Sequence, residues 1–261
     1  MRNLIHLCLI MSLGALLSGC ATQQAPISQE AAQRIQRLAV VSVTAQVFTR
    51  KYTGMTVFGN EKDEKDISAW QIDAQYEAQI ASEVERIRGV RVVQAPYQVA
   101  DFMPVNNMPG VYLTGMYEGA NWQAIESATK AHCAKHALDA VLLVAQTSVP
   151  DFFTGSNQIL SGAGFYVRGP IRGASVMHLS SRIGLLDCAS GKPLAVRLLA
   201  RSHHSRSRGG LFSLPYREIS ENLSRMPIAS WTPEIEQQIK ANLIELPVQS
   251  WGPSIQSLFK P

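Results

Sequence analysis

The chain has 261 residues, with 46% hydrophobic and 17% charged side chains, a formal net charge of +4 and four cysteines. That length suits one substantial domain or two small ones built on a real hydrophobic core. So small a positive surplus gives no electrostatic argument for a nucleic-acid partner.

Arg2 is followed by an apolar run from Leu4 to Leu17, and the sequence then reads Leu17-Ser18-Gly19-Cys20. A charged end, an apolar centre and small residues form the order of an export signal. The run is shorter than the about 20 apolar residues that a spanning helix needs. Leu17 to Cys20 resembles the lipobox of bacterial lipoproteins, a likeness confined to roughly the first 22 residues. It implies removal of residues 1–19 as a signal peptide, a diacylglyceride on the Cys20 sulfur and an acyl group, such as palmitate, on the new amino terminus. Several acyl chains hold firmly where a single one binds reversibly. Ala21 in place of Asp after the cysteine implies delivery to the outer membrane, on its periplasmic face. The alternative is a secreted protein whose signal happens to end in cysteine.

The mature chain would run from Cys20 to Pro261, and losing Arg2 would bring its formal charge to about +3. Two cysteines remain, Cys133 and Cys188, which in an oxidising compartment are candidates for a disulfide. The alternative is two separate buried thiols. Residues 20–36 have little to bury and read as a lipidated tether, with a single α/β domain over residues 37–261.

In chain order, Leu38 to Val43 is an apolar, β-branched strand continuing toward Phe48. Residues 51–66, with two glycines and the charged run Glu61 to Asp66, read as a long loop of candidate functional interest. Ser68 and Gln71 form a capping box, and Ile67 and Ile72 a hydrophobic staple, for a helix whose stripe is Ile72, Tyr76, Ile80, Val84 and Ile87. Gly89 ends it before a strand at residues 90–93. Strand, helix, strand is the unit of a parallel sheet. Prolines 96, 104 and 109 mark an irregular crossing, followed by a helix over residues 121–136 and an apolar strand over residues 138–149.

The glycine-rich tract from Phe152 to Gly173 reads as a mobile loop or hairpin end. Residues 175–187 and 193–202 read as an antiparallel hairpin, the first strand having one wetter face. Residues 215–226 read as helical, and the last helix has Thr232 as cap, Pro233 at its first position and Ile235, Ile239, Leu243 and Leu246 inward. The fold class is therefore α/β: a mixed β-sheet with covering helices, a C-terminal antiparallel hairpin and a helical C-terminal region. This order, with the turn from Asp187 to Gly191, resembles the accessory-lipoprotein domains of envelope assemblies, such as the amino-terminal domain of TolB and the curli-secretion lipoprotein. That likeness speaks to fold more than to function.

Catalytic motifs are not apparent. His132 and His136 share a helix face, but Cys133, Ala134 and Lys135 between them give no HExxH base, and a third metal ligand would have to come from His178, His203 or His204. There is no GxSxG, GxxxxGK or GxGxxG. We therefore expect no catalytic residues, no resident metal and no cofactor. Arg197, Arg201, Arg206 and Arg208 suit phosphate or carboxylate surfaces, such as anionic lipid or cell-wall glycan; a solubilising loop is the alternative. Phe152, Phe153, Phe165 and Tyr166 are candidate anchors for a partner or a second copy. The expectation is a non-enzymatic outer-membrane lipoprotein that binds an envelope protein or forms a homo-oligomer. A periplasmic hydrolase or ligand-binding lipoprotein acting on cell-wall or lipid material is the alternative.

Overall fold

The computed structural model describes residues 27–54, 56–103, 122–151, 153–169, 174–199 and 214–260. It is a mixed α/β structure whose sheet curls around one long strand. Cys20 and the rest of residues 1–26 lie outside the described residues.

Packed structure is already present ten residues before the expected boundary. Helix α1 (Gln29–Arg34) is capped by Ser28, whose hydroxyl accepts from the Ala31 N–H at 3.1 Å. Ile27, Ala31, Ala32 and Ile35 are buried, so this part of the expected tether packs as core. Positions four residues apart fall along one side of the helix, which suffices for docking once a sheet lies beneath them.

Strand β1 (Arg37–Val43) continues after a bend into β2 (Val47–Thr53), and β3 (Glu61–Asp66) returns antiparallel to β2. Residues expected as a charged loop thus form an edge strand. What organises it is Arg50, only 2% exposed, whose Nε and Nη2 pair with Asp63 at 2.7 Å and Glu61 at 2.8 Å. Burial alone would lower the Arg50 pKa, but those two carboxylates more than offset it and raise it. A cross-strand charge partner gives a hydrophilic sequence a reason to be a strand, and a charged edge resists further strand pairing.

Helix α2 (Ile72–Arg88) ends at Gly89 as expected, and its stripe Ile72, Tyr76, Ile80 and Val84 is buried. Its start differs. Ser68–Trp70 form a short 3-10 turn, and Gln71, at φ 56°, leads into the helix without a side-chain cap. The staple residues Ile67 and Ile72 are buried nonetheless. Strand β4 (Arg91–Val92) then pairs parallel to β1, and α3 (Val99–Phe102), α4 (Trp122–His136) and β5 (Ala140–Gln146) follow. β5 pairs parallel to the other side of β1, matching Leu38 with Ala140 through to Val43 with Ala145.

Short β6 (Ser148–Pro150) leads to β7 (Ile159–Arg168), which is an interior strand and not a mobile tract. It lies between β2 and the fourteen-residue β8 (Ala174–Asp187). The glycines that suggested a loop let backbones approach: a Cβ on Gly164 would sit 2.2 Å from the Thr49 carbonyl oxygen of β2. The first half of β8 pairs with β7 and with β10 (Tyr216–Glu218); its second half pairs with β5 and β9 (Pro193–Leu198). The β8–β9 hairpin is therefore present as expected. The region expected to be helical at 215–226 is divided between β10 and α5 (Glu221–Arg225), the latter capped by Ser220.

Helices α6 (Pro233–Glu245), with Thr232 as cap, and α7 (Val248–Leu258) cover one sheet face. Leu38, Val40, Leu142 and Val144 point to this face, toward α2, α6 and α7. Ala39, Val41, Val43, Val141 and Leu143 point to the other, toward α3 and α4. Burial on both faces is why β1 and β5 read as continuous apolar runs.

Candidate functional site

The chain leaves the carboxyl end of β1, by way of β2 and β3, toward α2 on one face. It leaves the carboxyl end of β4 toward α3 and α4 on the other face. β4 pairs with the amino end of β1, and the chain after it runs on until Tyr97 reaches Ser42 near the carboxyl end of β1, opposite the first turns of α2.

A polar network joins these segments. Asp73, in the first turn of α2, is buried and accepts from the Thr44 N–H at 3.0 Å, the Ala45 N–H at 3.2 Å, the Ser42 hydroxyl and the Gln46 amide. Glu77, one turn on, accepts from the Ser42 N–H at 3.0 Å and is hydrogen-bonded by the Tyr97 hydroxyl. That hydroxyl also lies 2.7 Å from the Ser42 carbonyl, so one proton serves two acceptors. Thr44 joins the network to Ser181 of β8. Burial raises the Glu77 carboxyl above its ordinary value, although the bonds from Tyr97 and Ser42 pull the other way. Burial and then the Glu77 hydrogen bond raise Tyr97 as well. A half-buried carboxyl that holds its proton more tightly than usual, beside a phenol, can donate or accept a hydrogen bond to a ligand.

The Tyr97 ring meets Phe102 at 5.7 Å and His132 at 6.4 Å, edge to face. His132 and His136 are ring neighbours at 4.8 Å, as their spacing on one helix face predicts. Their Nε2 atoms are buried without a hydrogen-bond partner among the described residues. Burial, then the proximity of His136 and Lys135, lowers the His132 pKa. His178 lies on β8 in a different part of the sheet, and among the described residues no group of three or more His, Cys, Asp or Glu converges.

A second buried network lies under β7. Asp151 accepts from the Thr154 N–H at 3.0 Å, the Ser156 hydroxyl at 2.7 Å and the Tyr166 hydroxyl at 2.8 Å. Burial would raise Asp151, but these bonds more than offset it and hold it below its ordinary value. His178 is pushed down to about 4, chiefly by burial, against the opposing pull of the Gly162 backbone and of Asp151. The face of β8 expected to be wetter, with Val176, His178 and Ser180, is therefore interior.

Cys133 and Cys188 are bonded, with Cα atoms 5.5 Å apart, tying α4 to the β8–β9 turn. Arg197 is half-buried on β9 and donates to the Val196 carbonyl at 2.8 Å; Arg201, Arg206, Arg208, His203 and His204 lie outside the described residues. Phe152 also lies outside them. Phe153 is half-buried against Tyr216 at 5.0 Å, while Phe165 and Tyr166 are wholly buried within the chain. Their alternation along β7 sends Phe165 to Phe48 and Trp231 and Tyr166 to Asp151, so neither side chain offers surface in this structure. Sequence reading missed Ser42, Asp73, Glu77 and Tyr97. The available signal was Ser42, a lone hydroxyl in an otherwise apolar buried strand, which requires a partner.

No protein-family model matches the chain, and no curated protein matches it. Among the described residues no helix is long and apolar enough to cross a membrane.

Proposed function

We propose that the mature chain is a lipid-anchored module of the bacterial cell envelope, held by acyl chains on Cys20 at the periplasmic face of the outer membrane, where it binds a partner in an envelope complex. The observation that carries this reading is the Cys133–Cys188 bond. Structural disulfides persist in oxidising compartments, and export behind the Leu17–Cys20 motif would deliver the chain to one. The half-buried Glu77–Tyr97 pair is the place proposed for recognition. Metabolic labelling with palmitate tests the anchor: in Cys20→Ser the label should vanish, and so should membrane sedimentation of chains whose signal has been removed. An unacylated native amino terminus would defeat the reading.

A second reading, a hydrolase or ligand-binding protein for cell-wall or lipid material, is favoured by the raised Glu77 carboxyl. It predicts that Glu77→Gln abolishes turnover or binding of cell-wall fragments while leaving palmitate labelling unchanged.

A further inference from the structure

A cavity of about 470 Å³ opens beside the disulfide, at the amino ends of β1 and β5 and so at the far end of β1 from Glu77. Its size falls within the roughly 300–1,000 Å³ of small-ligand sites. Ala31 of α1 and Ile35 just after it, Ala134 of α4 and Leu138 just beyond it, and Cys188 and Leu194 of the hairpin line it. The alanines leave the space, and the surface is largely apolar.

The charges around it do not select an ion. Arg34 and Lys130 are balanced by Asp139 and Asp187. Lys130 pairs with Glu126 at 3.0 Å, Asp139 accepts from the Gln36 and Arg37 N–H groups, and Asp187 accepts from the Ser190 N–H. A net-neutral rim around apolar walls suits an uncharged, apolar occupant.

The chain itself supplies one. Residues 20–26, Cys-Ala-Thr-Gln-Gln-Ala-Pro, carry no charged side chain and lead directly to Ile27, whose following helix forms a wall of the cavity. Seven extended residues reach up to roughly 25 Å, ample to bring the Cys20 sulfur to the opening. We propose that this cavity receives one of the acyl chains carried by Cys20, so that this chain exchanges between bilayer and protein while the others remain in the membrane. The proposal rests on the reading of Cys20 as acylated.

The test uses the whole mature chain, acylated or as Cys20→Ser, in detergent-free buffer without reductant, with dansyl-labelled undecanoic acid as the probe. Cys20→Ser should bind one equivalent with blue-shifted emission, and the acylated chain should exclude it. Ala134→Trp or Ala189→Trp in the Cys20→Ser chain, both at exposed rim positions, should weaken binding at least about tenfold. Equal binding by acylated and Cys20→Ser chains would overturn the proposal, assigning the cavity to a separate lipid; so would no binding by Cys20→Ser, or binding indifferent to both tryptophans. Mass analysis of the native amino terminus separately decides acylation: its absence defeats the anchor reading, whereas failure of the probe arms with Cys20 acylated defeats only the cavity assignment.

Discussion

His178 is 2% exposed and its folded pKa is depressed to about 4 from 6.5. Because the unfolded chain takes the proton first as pH falls, stability present above about pH 6.5 is lost down to about pH 4, by up to roughly 3 kcal/mol. His132, lowered mainly by burial, acts in the same direction. Urea unfolding of His178→Gln should show a much smaller loss between neutral and acid pH than the parent; an unchanged loss would contradict the assignment. Asp73 serves the backbone instead. Its removal in Asp73→Ala strands the Thr44 and Ala45 N–H groups and should cost roughly 3 kcal/mol in the same assay, with Asp73→Asn recovering part.

Elements are decided by what lies beside them. The Gly164 backbone meets Thr49 of the neighbouring parallel strand, so Gly164→Ala forces β2 and β7 apart and should cost about 2 kcal/mol or more, measured by thermal or urea melting. A comparable melting point would show that the strands yield without strain. The disulfide joins α4 to the β8–β9 turn across a sequence separation of 55 residues. On the chain-entropy account, a Cys133→Ser, Cys188→Ser double variant should be less stable by about 4 kcal/mol, read from the urea midpoint. Gly191, at φ 72°, brings that turn against α4, where a Cβ would lie 2.5 Å from the Glu126 carbonyl oxygen, so turn and bond act on one contact.

The C-terminal helices belong to the same core as the first strand. Trp251, Ile255 and Leu258 of α7 share a buried cluster with Leu38, Tyr76 and Phe165. The Trp251 indole donates to Gln79 of α2 at 2.8 Å, and the Tyr76 hydroxyl donates to the Leu243 carbonyl of α6 at 2.8 Å. Truncation after Glu245 should therefore abolish the cooperative thermal transition followed by circular dichroism, rather than leave a trimmed, stable sheet. Strand β8 makes the two halves of the sheet interdependent, since it supplies the partner for β5 and for β7 along one backbone.

Local physics was sufficient for β1, α2, β5, the β8–β9 hairpin and α6, because each carries its own periodicity, buried stripe or cap within a few residues. It also singled out Cys133 and Cys188 as a possible pair, while leaving their bonding open. Long-range packing alone made Glu61 to Asp66 a strand, placed the glycine tract inside the sheet and put Phe165 and Tyr166 in the core. Each of those depends on a partner outside its own segment: Arg50 for the charges, Thr49 for Gly164, Phe48 and Asp151 for the aromatics. The Ser42–Asp73–Glu77–Tyr97 network is of the same kind. Four residues spread over more than fifty positions carry no shared pattern in sequence, and meet only because α2 and the segment after β4 both pack against the end of β1.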